Sequence, residues 1–181
     1  VAWIDVITGL NASNAILASL IHKMNTGEAR NIDISLWDSA IAALVNQAHN
    51  ALASGKDPQR MGSAHPNLVP YRAFQASDGW FVIGVGSDNQ WAQLCEHLEL
   101  ENQENWHTNA GRIADRENIE SIVGEIVARY DRQTLERLLE GVPCAPVNTI
   151  TEALNDQQSV ARGVVTDYNG VQVLASPLRF Y

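Results

Sequence analysis

Between Gly55 and Pro70 the chain loses every hydrophobic period. Gly55, Pro58, Gly62, Pro66 and Pro70 punctuate this stretch. Proline removes backbone donors and glycine relaxes the backbone, so no helix or strand is expected to run through it. The segment therefore reads as the boundary between two folding units. At 181 residues, roughly 70% of the unfolded chain's surface can be buried, enough for one core or two small ones.

On the amino-terminal side, "VAWIDV" reads as a strand. Helical spacing follows from Val6 to Met24, with apolar residues at Ile7, Leu10, Leu17, Leu20, Ile21 and Met24. Thr8 or Asn11 is placed to cap that helix, and Gly27 to end it. Ile32, Ile34 and Leu36 alternate as in a short strand. Trp37, Ile41, Leu44, Val45, Ala48 and Leu52 then share one face of a long helix closed by Gly55, with Ser35 and Asp38 resembling a capping box. Strand–helix–strand–helix is α/β grammar, and the first connection is long enough for a parallel crossover. An apolar strand at the very first residue is an unusual terminus, so the sequence is expected to be part of something longer.

On the other side the pattern changes to α+β. "YRAFQAS" and "WFVIGVG" flank Asp78-Gly79, a strong hairpin signal. A helix from Ser87 or Asp88 carries Trp91, Leu94, Cys95 and Leu98 inward. A polar stretch over 99–115 leads to a helix from Ile119 to Tyr130 capped by Asp115, and Asp131 caps a short one carrying Leu135, Leu138 and Leu139. "GVPCAPVNTI" is a loop or short strand, Thr149 or Thr151 opens a last short helix, and Asn169-Gly170 predicts a second hairpin.

Composition excludes several classes of function. Twelve Lys+Arg against 21 Asp+Glu give a net charge of −9, which argues against nucleic-acid or anionic-membrane surfaces, since these need clustered cations. Cys95 and Cys144 form no C-x-x-C pair, which fits a reducing cytoplasm better than secretion. No apolar run is expected to approach the ~20 residues of a membrane span, and no signal peptide is recognised at the start.

Asp5 is the first candidate for chemistry. It falls at the carboxyl end of the expected opening strand, where ligands gather in open α/β sheets, and just before a helix whose N-terminus favours negative charge. A carboxylate so placed can attack an acyl group or simply cap the helix. In "RMGSAHPNLVPY", the small residues Gly62, Ser63 and Ala64 allow close backbone approach to a ligand, and His65 can supply a proton or a hydrogen bond; a proline-rich linker is the plainer reading. "GVGSDNQW" lacks the third glycine and the Lys-Ser/Thr of a phosphate loop and reads as a strand end and N-cap. His22, His49, His97 and His107 show no metal-ligand spacing, so no metal site is expected. Both cysteines read as inert thiols, and no G-x-S-x-G elbow occurs.

Taken in order, "IDVITGL", "TGEARNIDISLWDSAIAALVNQAHNAL", "RMGSAHPNLVPYRAFQASDGWFVIGVGSDNQWAQLC", "TNAGRIADRE", "GVPCAPVNTI" and "SPLRF" resemble the family III CoA-transferases, across essentially the whole chain. The resemblance implies that Asp5 attacks an acyl-CoA thioester to form a mixed anhydride, and that returning CoA converts this to an aspartyl-CoA thioester open to an acceptor acid. It places Gly62, Ser63, Ala64 and His65 in a loop over the substrate. It implies acyl-CoA and a small carboxylic acid as partners, no tightly bound cofactor, and an interlocked homodimer. Residues 1–60 would be a remnant of a Rossmann-like large CoA-binding domain, 61–146 a small α+β domain and 147–181 a return segment. The family's first half would lie upstream of Asp5, and residues 1–50 hold only Lys23 and Arg30 as fixed cations. A catalytically silent fragment and an α-methylacyl-CoA racemase are the alternatives.

Overall fold

The computed structural model describes residues 1–180. The chain divides into two compact units, Val1–Arg60 and Met61–Tyr181.

The first unit is helical. Helix α1 spans Trp3–Thr26 and ends on Gly27 in the left-handed conformation (φ 78°), whose N–H donates to the Lys23 carbonyl. The expected strand over Val1–Val6 does not form. A short apolar run is compatible with either element, and here Ile4, Ile7, Thr8, Ala12, Ala15, Ser19 and His22 make one continuous half-buried stripe at helical spacing. Thr8 and Asn11 are interior residues, not caps: the Thr8 hydroxyl donates to the Ile4 carbonyl (2.6 Å) and Asn11 Nδ2 donates to Ser39 Oγ (3.1 Å).

Residues 32–35 form no strand either. The expected long helix after them is two pieces, α2 over Leu36–Ala42 and α3 over Asn46–Ser54. Between them Val45 adopts φ 46°, an outlier for a β-branched residue that no glycine or proline announces. Ser35 caps α2 by accepting from the Asp38 N–H (3.0 Å), and Gly55 closes α3.

Among the described residues only Ser39 is buried in this unit, while Trp3, Leu10, Leu17, Leu20, Ile21 and Met24 are exposed along α1. No charge falls between Asp5 and Lys23, and α1 is long and apolar enough, by length and composition, to cross a bilayer. That corrects the expectation of no such run. Asn11, Ser13, Asn14 and Ser19 interrupt the apolar residues without outweighing them.

The second unit carries the core. Strands β1 (Tyr71–Ala76) and β2 (Gly79–Gly84) pair antiparallel with Phe74 opposite Phe81, and β3 (Cys144–Pro146) adds antiparallel to β2. All described pairings are antiparallel, so no parallel crossover is present among them. Helix α4 (Asp88–His97) is capped by Ser87. A 3-10 turn over Glu104–Trp106 leads into α5 (Asn109–Ala114) and α6 (Arg116–Val127), within what reads in sequence as a polar connection followed by a helix. Asp115 does not cap α6. Its carboxylate accepts from Trp106 Nε1 (2.8 Å) and Asn118 Nδ2 (3.1 Å) instead. Helix α7 (Arg132–Leu138) is capped by Asp131, and α8 (Ile150–Asn155) opens with a full capping box between Thr149 and Glu152. Helix α9 (Gln157–Ala161) precedes the ribbon β4 (Val165–Tyr168) and β5 (Val171–Leu174). Asn169 and Gly170 take φ 54° and 83° at its turn, as a two-residue hairpin of this kind requires.

Phe74, Phe81, Ile83, Trp91, Trp106 and Val123 lead the core, with the Trp91 and Trp106 rings edge to face at 6.1 Å. Arg112 is buried among them at 1% exposure. Its Nε donates to the Val69 carbonyl (2.8 Å), Nη1 to the Trp106 carbonyl (2.8 Å) and Nη2 to Asp88 Oδ1 (2.9 Å), and the guanidinium lies 5.5 Å from the Trp91 ring centre.

Two glycines in this unit separate close approach from mere smallness. A Cβ at Gly111 would overlap the Asn105 backbone carbonyl, whereas one at Gly124 meets only Phe74 at 3.7 Å. Gly111→Ala is expected to cost about 1–3 kcal/mol by overpacking. Gly124→Ala, inside α6, is expected to gain about 0.5–1 kcal/mol from the lower backbone entropy of alanine. Urea denaturation of both variants checks the pair, and equal effects would contradict the geometry.

Candidate functional site

Residues 63–67, in the second half of the boundary segment, are folded against the sheet. Strand β1 lies at the edge of its sheet, and its outward main-chain groups need partners. The His65 N–H donates to the Tyr71 carbonyl (2.8 Å), and the Ala73 N–H donates to the Ser63 hydroxyl oxygen (3.1 Å). The His65 ring stacks on Tyr71 at 5.2 Å and 25°, and its Nδ1 accepts from the Asn67 N–H (3.1 Å). A neutral imidazole in that arrangement carries its proton on Nε2. Gly62 takes φ 59° and a Cβ there would face open space. Ser63, Ala64 and His65 thus form an ordered strip beside β1 that begins at a left-handed glycine.

Asp5 belongs to the other unit. It lies in the first turn of α1, not at the tip of a strand, and its exposed carboxylate makes no hydrogen bond or ion pair among the described residues. The unsatisfied N–H groups of a helix's first turn favour a negative charge there. The electrostatic reason given for Asp5 therefore persists although the strand does not.

Behind the strip, three residues carry weight that the sequence reading left unassigned. Asn109, Arg112 and Arg116 are spaced three and four apart, a polar stripe at helical period that starts in the polar stretch and runs one residue past it. All three bond to backbone between Pro66 and Val69. Arg116 also pairs with Glu120 (3.1 Å), which takes Arg72 of β1 on its other oxygen at 2.6 Å. A 350 Å³ groove beside this pair is lined by Arg72, Gln75, Trp80, Glu117, Glu120 and Ser121.

No group of three or more His, Cys, Asp or Glu side chains placed to hold a metal occurs among the described residues. Burial pushes the Cys95 thiol up to about 11, with Arg112 opposing, and burial followed by Glu136 raises Cys144. The Asp131 carboxyl is lowered chiefly by the Thr134 N–H, and Glu152 by the Thr149 N–H and then by Arg132, consistent with their capping roles.

The family model for CoA-transferase family III matches residues 1–180. The chain belongs to this family. It is 37% identical over 172 residues to a succinate–glutarate CoA-transferase of Agrobacterium fabrum, covering 92% of this chain and 43% of that protein. It is 35% identical over 175 residues to the human succinyl-CoA:glutarate CoA-transferase, covering 92% of this chain and 39% of the relative. A CaiB/BaiF family protein from Brucella suis shares the fold with a TM-score of 0.77 at 40% identity, over 99% of this chain and 49% of that one. The chain therefore spans less than half the length of these relatives. Its mixed helices and small antiparallel sheets are those of the CaiB/BaiF fold.

The raised thiols give a check on the core. Only the thiolate attacks an alkylating reagent, and a group titrating near 11 is almost wholly protonated at pH 8. Cys95 is expected to react with iodoacetamide at least tenfold more slowly than it does in urea. Equal rates in native and denatured protein, read by peptide mass, would contradict its burial.

Proposed function

We propose that this chain is the portion of a CoA-transferase that supplies the nucleophile, Asp5, and a substrate-side loop, Gly62–His65, for moving CoA between small carboxylic acids. The observation that carries the reading is the family match across residues 1–180, with Asp5 exposed and unpaired in the first turn of α1. In the first step the Asp5 carboxylate attacks the thioester carbonyl and CoA leaves as thiolate, giving a mixed anhydride. The thiolate then attacks the Asp5 carbonyl, the donor acid departs as its carboxylate, and an aspartyl-CoA thioester remains. The acceptor carboxylate runs the same two steps in reverse, and Asp5 is regenerated. No cofactor enters: acyl-CoA is substrate.

The relatives' names, succinate–glutarate and succinyl-CoA:glutarate CoA-transferase, favour short dicarboxylic acids as donor and acceptor. In the same reading residues 1–60 are a helical remnant of the large CoA-binding domain, 61–146 the small domain and 147–181 the return segment. The protein works as a homo-oligomer in the cytoplasm.

A second reading rests on a separate observation. The chain covers 43% and 39% of these relatives, and α1 exposes Trp3, Leu10, Leu17 and Met24. Taken alone, the 181 residues lack surfaces that orient CoA and are catalytically silent, forfeiting a positioning advantage of ~7–11 kcal/mol.

Asp5→Asn keeps the size of the side chain and removes the nucleophile. In the protein as encoded, it is expected to lower CoA transfer from succinyl-CoA to glutarate by at least about 10³-fold with unchanged circular dichroism. Transfer within tenfold of wild type would refute the mechanism. Deuterium wash-in at the α-carbon of a 2-methylacyl-CoA, without transfer, would point to racemase chemistry instead. Micromolar CoA binding by the 181-residue chain would refute the silent reading.

A further inference from the structure

The motif "TNAGRIADRE" has no part in the chemistry above, yet three of its polar side chains converge on one short run of backbone. Asn109 Nδ2 donates to the Asn67 carbonyl (2.9 Å), and Asn109 Oδ1 accepts from the Val69 N–H (3.3 Å). Arg116 Nη2 donates to the Pro66 carbonyl (2.8 Å), and Arg112 Nε to the Val69 carbonyl (2.8 Å). Four main-chain groups in the residues directly after His65 are thus satisfied by three side chains. Irregular backbone packed beside a buried Val69 and Pro70 has no ladder of its own, so side chains must complete it.

The clamp is itself fixed. Arg112 has 1% exposure and bonds on three nitrogens. Arg116 is held by Glu120, whose second oxygen takes Arg72 of β1. Thr108 caps α5 by accepting from the Gly111 N–H (3.2 Å), which orients Asn109 at the start of that helix. At the opposite end of the loop Gly62 is left-handed, and the turn is closed by the Ala64 N–H donating to the Met61 carbonyl (3.0 Å).

We propose that Asn109 and Arg116 are positioning residues for the Gly62–His65 loop. They pin its carboxyl end at Pro66–Val69, so that His65 keeps one place beside Tyr71. The role in turnover rests on the reading of this loop as substrate-side, whereas the clamp itself rests on the hydrogen bonds alone.

Hydrogen exchange read by mass spectrometry on the 181-residue chain tests the clamp, and steady-state kinetics on the protein as encoded tests its purpose. Asn109→Ala and Arg116→Ala are expected to raise exchange of the amides in 63–69 at least tenfold. Amides of Phe81–Val85 and Trp91–Cys95 are expected to stay within twofold of wild type. Asn109→Asp, which keeps the acceptor for Val69 and loses the donor to Asn67, should fall between. In the transfer assay kcat is expected to drop at least tenfold while KM for the CoA thioester stays within threefold. Unchanged loop exchange overturns the proposal, and so does an equal rise across the core strands. Faster loop exchange with unaltered kcat overturns the positioning role. A wild-type protein without transferase turnover refutes the functional reading instead, and the exchange result then decides the clamp by itself.

Discussion

Arg112 brings a full positive charge into a core otherwise made of aromatic and aliphatic side chains. A charge with 1% exposure survives there only with its donors satisfied, and here the partners are the Val69 and Trp106 carbonyls and the Asp88 carboxylate, with the Trp91 face alongside. Those partners belong to the boundary segment, the 3-10 turn and the start of α4. A single planar fork therefore joins three pieces of chain that share no secondary structure, and Asn109 and Arg116 to either side of it bond the same run of backbone. Such a pin gives direction where hydrophobic contact is non-directional. The strip beside β1 is held by its own bonds, from the His65 N–H to the Tyr71 carbonyl and from the Ala73 N–H to the Ser63 hydroxyl.

The two units have unlike hydrophobic balances. The second buries a contiguous set of side chains from Val69 to Val142. The first buries only Ser39 among its described residues and leaves α1 apolar on several sides. Exposed apolar area of this extent marks a surface built to be covered.

Much of the second unit was legible because its signals are local. Asp78-Gly79 and Asn169-Gly170 announced their hairpins, and Ser87, Asp131 and Thr149 announced their helices, since each acts on backbone within a few residues. The errors fell where the deciding partner is distant or missing. A six-residue apolar run over Val1–Val6 fits a strand or a helix, and its stripe shows only against the rest of α1. The break at Val45 has no residue signal. Asp115 looked like a cap and serves Trp106, and the burial of Arg112 depends on Val69, Trp106 and Asp88, which spacing cannot place together. Asp5 and Gly62–His65 were named largely through resemblance. The bonds from Asn109 and Arg116 that hold the loop had no reading in sequence beyond a polar stretch over 99–115 and the motif "TNAGRIADRE".

In the proposed mechanism the Asp5 carboxyl carries first an acyl group and then CoA. Incubating the protein as encoded with succinyl-CoA, quenching with hydroxylamine and mapping peptides by mass tests it most directly. A hydroxamate is expected on Asp5, forming only when the thioester is present. An unmodified Asp5 in a protein that is turning over, or a hydroxamate on another carboxylate, would contradict it.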